Sequence, residues 1–166
     1  VASEHFQILV EMLEANGFLH YELSNFGKEG FFSRNNSAYW LGKKYLGIGP
    51  SAHSYDRISR SWNVANNALY LKGIAAGTIP KETEILTAAD RYNEYIMTGL
   101  RTIWGVSLER IQTVFGDNYL DYLNKQSRKF IDDGLLIIED NILKTTKKGK
   151  FLTDGIASDL FSLNLE

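Results

Sequence analysis

The chain has 166 residues, 18 Lys+Arg against 20 Asp+Glu, a formal net charge of −2 at pH 7, and a composition that is 44% hydrophobic and 13% aromatic. The apolar content excludes a disordered tail, and the near-neutral charge argues against a mainly phosphate-binding protein. No apolar run approaches the ~20 residues of a membrane span, so a soluble protein is expected. The length predicts one or two domains. The absence of cysteine excludes disulfides and thiolate ligation of a metal or cluster by this chain, and it fits a cytoplasmic location.

The first predicted elements alternate between helix and strand. Ser3 suits an N-cap, apolar residues follow it at helical spacing, and Gly17 supplies a left-handed stop, which together predict a helix. Residues 18–23 are apolar and aromatic and predict a strand. Residues 24–40 are rich in Asn, Gly, Ser and aromatic side chains and predict a long loop, and residues 44–48 predict a second strand.

Both ends of the chain indicate a piece of a longer protein. The sequence begins at Val1 rather than Met, and Leu165-Glu166 resembles a cloning remnant. A helix that runs into a buried strand is half of an α/β repeat, and the strand that would precede this helix is missing. We therefore expect that the chain was cut from a longer one.

A glycine-rich turn follows the second predicted strand and contains Gly47, Gly49 and Ser51. Glycines at the carboxyl end of a parallel strand let a ligand approach the backbone. The pair also fits an ordinary tight turn, because the third glycine and downstream acid of a dinucleotide fingerprint are absent. His53 follows the turn at a place where functional residues are common, and residues 63–76 then predict a helix.

From Thr83 onward the pattern is mainly helical. Thr87 and Asp90 predict a capping box at the start of a helix whose apolar face includes Tyr92 and Ile103. The remaining predicted elements are two helices capped by Ser107 and Asp117, a hairpin over residues 135–144, and a last helix over residues 146–160. This order predicts a winged-helix-like module.

A winged-helix order raises the possibility of DNA binding, but the charges argue against it. The helix that would enter the groove, residues 117–133, carries fewer basic than acidic side chains, namely Lys125, Arg128 and Lys129 against Asp117, Asp121, Asp132 and Asp133. Groove binding needs a cationic face. The lysines at 144–150 are interpreted as a solvated helix start, so no nucleic-acid partner is expected.

Residues 35–40, Asn-Asn-Ser-Ala-Tyr-Trp, form the most concentrated polar and aromatic stretch. They fit either an ordered loop pinned by Tyr39 and Trp40, or a site for a flat macrocycle that carries carboxylates. His5 is expected on a helix surface, and His20 is expected as a satisfied core residue. The sequence has no Ser/His/Asp order, HExxH motif or metal-spaced cluster, so neither a catalytic residue nor a metal site is predicted.

An ordered run of motifs then carries a family resemblance. The motifs are YELSNF at 21–26, SRNN at 33–36, YW at 39–40 and YLGIGPSAHSY at 45–55, with further matches up to Val106. This run resembles the oxygen-independent coproporphyrinogen III oxidase-like family of radical S-adenosylmethionine proteins, and within that family it is most similar to the haem-chaperone branch. The resemblance covers nearly the whole chain.

The resemblance implies that this chain is only part of such a protein. The family's N-terminal region holds a [4Fe–4S] cluster on a cysteine triad, and the cluster binds and cleaves S-adenosylmethionine; this chain has no cysteine. The implied fold class is α/β plus mainly α. Residues 1–62 would be the last strands and helices of a TIM-like barrel, residues 63–86 a connecting helix and linker, and residues 87–164 the winged-helix-like C-terminal domain.

The resemblance also implies a haem site. The family has an HNxxYW stretch that is associated with haem binding in the chaperone branch, and this chain matches it at Asn36, Tyr39 and Trp40. Asn35 stands where the family usually has histidine, and asparagine lacks the imidazole nitrogen that haem iron binds well. Either haem is held without that ligand, or another group such as His53 supplies it, or haem transfer is lost or altered.

Three residues of the glycine-rich turn, Gly47, Gly49 and Ser51, match the barrel strand near the family's cofactor pocket. The resemblance gives them no individual roles. With Asn36, Tyr39, Trp40 and His53 they complete the set of candidate binding residues.

Three functions follow as hypotheses. The first is a haem chaperone that holds haem and passes it to an acceptor protein, with this piece itself catalytically inert. The second is a coproporphyrinogen III dehydrogenase, in which a radical abstracts hydrogen from the propionate side chains. The third is a non-catalytic protein-docking module. Because removal of most of a barrel exposes strand edges and apolar faces, self-association is expected.

Overall fold

The computed structural model describes residues 2–163, so the expectations about Val1, Leu165-Glu166 and the domain end at residue 164 lie outside the described residues. The first half contains the elements α1 (Ala2–Ala15), β1 (Leu19–Glu22), β2 (Asn25–Gly27), α2 (Arg34–Trp40), β3 (His53–Tyr55), β4 (Ser59–Asn63), α3 (Asn67–Ala75) and β5 (Lys81–Ile85). No helix in this described range is long and apolar enough to cross a membrane.

The second half contains the elements α4 (Ala88–Leu100), β6 (Val106–Ser107), α5 (Leu108–Phe115), α6 (Asp117–Asp132), β7 (Leu136–Glu139), β8 (Ile142–Thr145), a 3-10 turn (Lys150–Leu152) and α7 (Thr153–Asp159). The chain is therefore of mixed α/β composition in its first half and mainly helical in its second. The three sheets have the strand orders β1-β2, β3-β4-β5 and β6-β8-β7.

All strand pairs in residues 2–163 are antiparallel. Because these residues contain no parallel pair, the parallel barrel strands implied by the resemblance stay a prediction. The strand predicted over residues 18–23 is present as β1, and it pairs with β2 in a hairpin. The strand predicted over residues 44–48 is wrong, because only Tyr45 makes an isolated bridge, to Tyr55. The loop predicted over residues 24–40 contains β2 and α2.

The helix predicted over residues 63–76 begins later than expected. Residues 59–63 pair with β5 in the second sheet, and Asn66 caps α3 by accepting a hydrogen bond from the Leu69 N–H at 3.0 Å. β5 lies inside the segment predicted as linker, and it joins β4 of the predicted barrel remnant. The predicted domain boundaries themselves stay predictions.

The core of the second half packs around α4. The capping box predicted from Thr87 and Asp90 is confirmed, since each side chain bonds the other's backbone N–H. The fully or nearly buried side chains of this core are Tyr92, Ile96, Leu100, Val106, Leu108, Ile111, Tyr119, Leu123, Leu136, Leu143, Ile156, Ala157 and Leu160. Burial of each large apolar side chain contributes about 1.5–3 kcal/mol. Ile103 is 41% exposed and does not belong to this core, contrary to the prediction.

Two boundaries in the second half differ from the sequence prediction. Asp117 is the first helical residue of α6 rather than its cap, because Gly116 with φ +96° occupies the cap position. The last helix begins at Thr153 rather than at residue 146. Thr146 starts a turn instead, with its hydroxyl donating to the Gly134 carbonyl at 2.8 Å. The predicted hairpin is confirmed as β7 and β8.

A charged cluster joins the β1 hairpin to the second half of the chain. The Glu22 carboxylate is 1% exposed and lies 3.0 Å from the Arg101 guanidinium, which also pairs with Asp154. The Leu23 N–H donates to the Arg101 carbonyl at 3.0 Å. These contacts fix the first half of the chain against α4 and α7.

Candidate ligand cavity

A cavity of about 370 Å³ lies between the end of α2, the β3–β4 hairpin, and helices α4 and α5. Its aromatic lining residues are Tyr39, Trp40, Tyr45, Tyr55, Tyr95, Trp104 and Phe115. Its charged lining residues are Arg57, Arg91, Glu94 and Arg110. A wall rich in aromatic side chains with a few convergent charges is typical of a site for an organic ligand.

α2 delivers Tyr39 and Trp40 to this cavity. The helix begins where the Ser33 hydroxyl accepts a hydrogen bond from the Asn36 N–H at 3.3 Å, and it ends before Gly42 at φ +63°. Both aromatic residues therefore lie in its last turn. Their rings meet edge to face with centroids 5.2 Å apart.

Tyrosines continue the wall from α2 to the β3–β4 hairpin. The ring of Tyr45 lies 6.0 Å from Tyr39 and 5.8 Å from Tyr55, and the backbones of Tyr45 and Tyr55 exchange two hydrogen bonds of 3.0 and 2.9 Å. Burial raises the pKa of Tyr45 and the pKa of Tyr55 above the usual value. Both phenols are therefore neutral at neutral pH.

The Trp40 ring is held from behind by Arg101, whose guanidinium carbon lies 5.0 Å from the ring centroid. That guanidinium is fixed by Glu22 and Asp154. The indole Nε1 of Trp40 is buried and has no hydrogen-bond partner among the described residues. A buried donor of this kind costs free energy until a ligand or water accepts from it.

The charged side chains of the cavity are unevenly paired. Glu94 is the acidic member, and its carboxylate lies 2.8 Å from Arg60. Arg57, Arg91 and Arg110 have no ion pair in the part of the chain that the structure describes. The lining therefore carries an excess of positive charge.

The cavity includes two of the candidate residues predicted from sequence, Tyr39 and Trp40. Asn36 lies one turn earlier on α2 and does not line the cavity, although its Oδ1 is buried without a partner among residues 2–163. Asn35, which stands where the family usually has histidine, is exposed.

The glycine-rich turn lies apart from the cavity lining, and its backbone groups are bonded within the chain. The Asn63 amide donates to the carbonyls of Gly47 and Gly49 at 3.3 and 2.9 Å, and the Gly49 N–H donates to the Tyr70 hydroxyl at 3.0 Å. The Ser51 N–H donates to the Val64 carbonyl at 3.2 Å. These bonds account for the turn structurally, and a ligand role for its residues stays a prediction.

The histidines lie in three different environments. His53 is exposed on β3, with its ring 6.0 Å from Trp62, and it does not line the cavity. His20 is buried, as predicted; its ring nitrogens bond the Leu23 carbonyl at 2.9 Å and the Lys150 ammonium at 2.8 Å. His5 is exposed on α1, also as predicted.

The sequence reasoning missed the wall of the cavity that α4 and α5 supply. The lining residues of α4 are Arg91, Glu94, Tyr95, Thr98 and Gly99. Their i, i+3, i+4, i+7 spacing is a helical stripe of polar and aromatic side chains. This stripe was the available signal, and it lies on a different face from the buried Tyr92 and Ile96.

Comparison with known proteins finds a similar domain and a similar fold. The HemN C-terminal domain family matches residues 86–152. The solved structure of coproporphyrinogen III oxidase (HemN) from Escherichia coli, described as a radical SAM enzyme, superposes with a TM-score of 0.69 at 17% identity, over 94% of this chain and 40% of that one. The fold is therefore that of the HemN C-terminal region, and residues 86–152 match the HemN C-terminal domain family.

Among individual proteins, the chain is similar to haem chaperones. It is 30% identical over 155 residues to the haem chaperone HemW of Bacillus subtilis, covering 93% of this chain and 41% of the relative. It is 32% identical over 164 residues to HemW of Lactococcus lactis, covering 93% and 43%. The resemblance predicted from the motifs is confirmed, and the chain spans about two fifths of the length of these relatives.

The residues of this chain do not fit an iron–sulfur cluster. The sequence has no cysteine, and residues 2–163 contain no group of three or more His, Cys, Asp or Glu side chains placed to hold a metal ion. Cluster ligands would have to come from another segment.

Proposed function

We propose that the chain is the C-terminal part of a radical SAM haem chaperone and that its cavity binds haem, or a related porphyrin, as cargo. The observation that carries the proposal is the convergence of Tyr39 and Trp40, the aromatic pair of the haem-associated motif, on a cavity with an excess of arginine. Aromatic faces stack on a flat macrocycle, and arginine binds the carboxylates at its edge.

The residue that would bind the haem iron need not be one that stacks on the porphyrin ring. The described residues that line the cavity include no histidine, and the raised pKa values of Tyr45 and Tyr55 disfavour a phenolate ligand. We therefore expect stacking and carboxylate contacts, rather than an imidazole–iron bond, to supply the affinity. Substitution of Asn35→His would add an imidazole one turn before Tyr39, and it is expected to change the ligation spectrum of bound haem.

A haemin titration of the 166-residue chain, followed by the Soret band, tests the proposal. Tyr39 is half exposed, so Tyr39→Leu should fold and yet weaken binding by the stacking contribution, roughly 2- to 10-fold in Kd. Phe31→Leu is the matched control, because Phe31 is 84% exposed and does not line the cavity. An unperturbed Soret band in the unsubstituted chain would contradict the proposal.

The dehydrogenase alternative concerns the complete protein, because the radical chemistry would need the cluster and S-adenosylmethionine. Its support is the fold shared with coproporphyrinogen III oxidase. Full-length protein that converts coproporphyrinogen III in the presence of S-adenosylmethionine would favour it over the chaperone.

The docking alternative concerns the second half of the chain. A winged-helix-like module is supported by the order of its elements, α4, β6, α5, α6, β7, β8. We propose that this module docks a haem-acceptor protein. Nucleic acid is disfavoured because acidic residues outnumber basic ones on residues 117–133. Retention of acceptor protein by the chain without haem would favour docking as the main function. The cytoplasmic location stays a prediction.

Self-association and the barrel remnant belong to the same proposal. Large apolar side chains of the first half are exposed, among them Ile8, Met12, Leu46, Ile48, Leu71 and Ile85. The relatives are more than twice as long as this chain, and in them we expect the barrel to cover these faces. The isolated chain should therefore self-associate, and a monodisperse monomer in light scattering would contradict this.

A further inference from the structure

Three arginines from separate elements meet at the cavity. Arg57 lies in the β3–β4 turn, Arg91 on the first turn of α4, and Arg110 on the first turn of α5. The acidic side chain of the lining, Glu94, pairs with Arg60 through Oε1, while its Oε2 is buried without a hydrogen-bond partner among the described residues. Side chains from residues 57, 91 and 110 have no reason in the local sequence to share a site, so their convergence is a property of the folded molecule.

Each arginine is held at the cavity while leaving donors available. Arg57 donates from Nε to the Gly42 carbonyl at 3.2 Å, and Arg91 donates from Nε to the Thr87 carbonyl at 3.4 Å. Arg110 lies with its guanidinium carbon 4.5 Å from the centroid of the Tyr95 ring. Within residues 2–163 the terminal nitrogens of these three side chains make no hydrogen bond. A guanidinium anchored in this way can bind a carboxylate through two parallel hydrogen bonds.

The supporting structure fixes two of these positions further. Arg57 adopts φ +81°, a left-handed conformation that a side-chain-bearing residue rarely adopts. Tyr95, under Arg110, accepts a hydrogen bond from the Ser107 N–H at 3.0 Å, which holds its ring against the start of α5.

The chemistry of this lining selects a class of ligand. Uncompensated guanidinium groups disfavour a cation and give a neutral ring no advantage, whereas they favour carboxylates. The aromatic side chains of the same cavity favour a flat ring. Resting on the proposed function, we infer that Arg57, Arg91 and Arg110 form a carboxylate subsite that binds the propionate groups of the tetrapyrrole. The charged edge of the ligand is then recognised by the β3–β4 turn and helices α4 and α5 rather than by the haem-associated motif.

Haemin and haemin dimethyl ester distinguish this subsite from haem binding in general, because the ester keeps the ring and iron but has no free carboxylate. The unsubstituted chain should bind haemin at least tenfold more tightly than the ester, and the preference should shrink as salt rises. Arg91→Met combined with Arg110→Met should weaken haemin binding at least tenfold and change ester binding less than twofold. Arg128→Met is the control, since Arg128 is exposed on α6 and does not line the cavity.

Each outcome decides between the two levels of the proposal. Equal affinities for haemin and the ester would overturn the carboxylate subsite while leaving haem binding intact. No binding of either compound would overturn the proposed function and the subsite with it. Because the comparison of haemin with the ester needs only the unsubstituted chain, the test stands even where the double variant fails to fold.

Discussion

Arg101→Met is the substitution expected to destabilise the chain most through charge. The Arg101 guanidinium donates from Nε and Nη2 to the Glu22 carboxylate at 3.3 and 3.0 Å, and it pairs with Asp154 on its other side. Glu22 is 1% exposed, so removal of its partner leaves a carboxylate buried without a counter-charge. Methionine preserves much of the apolar stem of arginine and removes only the charged group.

The size of the effect follows from the contacts that remain. Breaking a buried ion pair costs about 3–5 kcal/mol. Glu22 keeps two donors, the Ser24 N–H and the Asn25 amide, so the lower end of that range is expected. Asp154 is 62% exposed and adds little. For a chain of this length, a loss of about 3 kcal/mol lowers Tm by roughly 6–12 °C.

Urea unfolding and thermal circular dichroism measure this loss, with coincident transitions as the check on two-state behaviour. The double substitution Glu22→Gln with Arg101→Met should recover more than half of the lost stability, because a neutral amide costs less to bury than a carboxylate. Lys129→Met is the control, since Lys129 and Asp159 are both more than half exposed and their pair is expected to contribute less than about 1 kcal/mol. A loss below about 1 kcal/mol for Arg101→Met, or no recovery in the double variant, would refute the reasoning.

Three further predictions concern stability. Burial lowers the pKa of His20, which lies beside Lys150. As pH falls below about 6.5, the unfolded chain takes up a proton that the folded chain resists, so the free energy of unfolding should fall. His20→Gln should flatten this pH dependence in urea midpoints measured from pH 8 to 5. Gly47→Ala would overlap a backbone carbonyl and should cost about 1–3 kcal/mol in urea unfolding, whereas Gly155→Ala, which meets nothing, should be neutral or stabilising. Thr87→Ala should cost about 1 kcal/mol in the same assay through loss of the cap, and an unchanged midpoint would count against the capping box.

Local signals explain what the sequence predicted well. The capping box at Thr87 and the Ser107 cap of α5 act within a few residues, so they can be read without the rest of the fold. The hairpin over residues 135–144 was predicted for the same reason. Its turn residues Asp140 and Asn141 both adopt positive φ, +49° and +63°, as a two-residue turn requires.

Longer-range pairing explains what the sequence did not predict. β4 and β5 have the sequences SRSWN and KETEI, and every residue of β5 is exposed, so neither strand shows the alternation of a half-buried strand. Residues 44–48 do show an apolar pattern, yet Leu46 and Ile48 are 79% and 84% exposed. The backbone of the neighbouring Gly47 and Gly49 is instead bonded by Asn63 and Tyr70, which lie further along the chain.

The motif run that carries the family resemblance divides into two physical parts. The backbone groups of the glycine-rich turn form hydrogen bonds with Asn63, Tyr70 and Val64, so its residues are explained by the turn that they build. The YW pair instead presents rings to a cavity, and one of those rings rests on Arg101, which Glu22 of the first motif holds in place. Substitutions in the glycine-rich turn should therefore change the stability of the chain, and substitutions in the YW pair should change ligand binding. Arg101 links the two effects, since its loss would both bury an unpaired carboxylate and release the Trp40 ring.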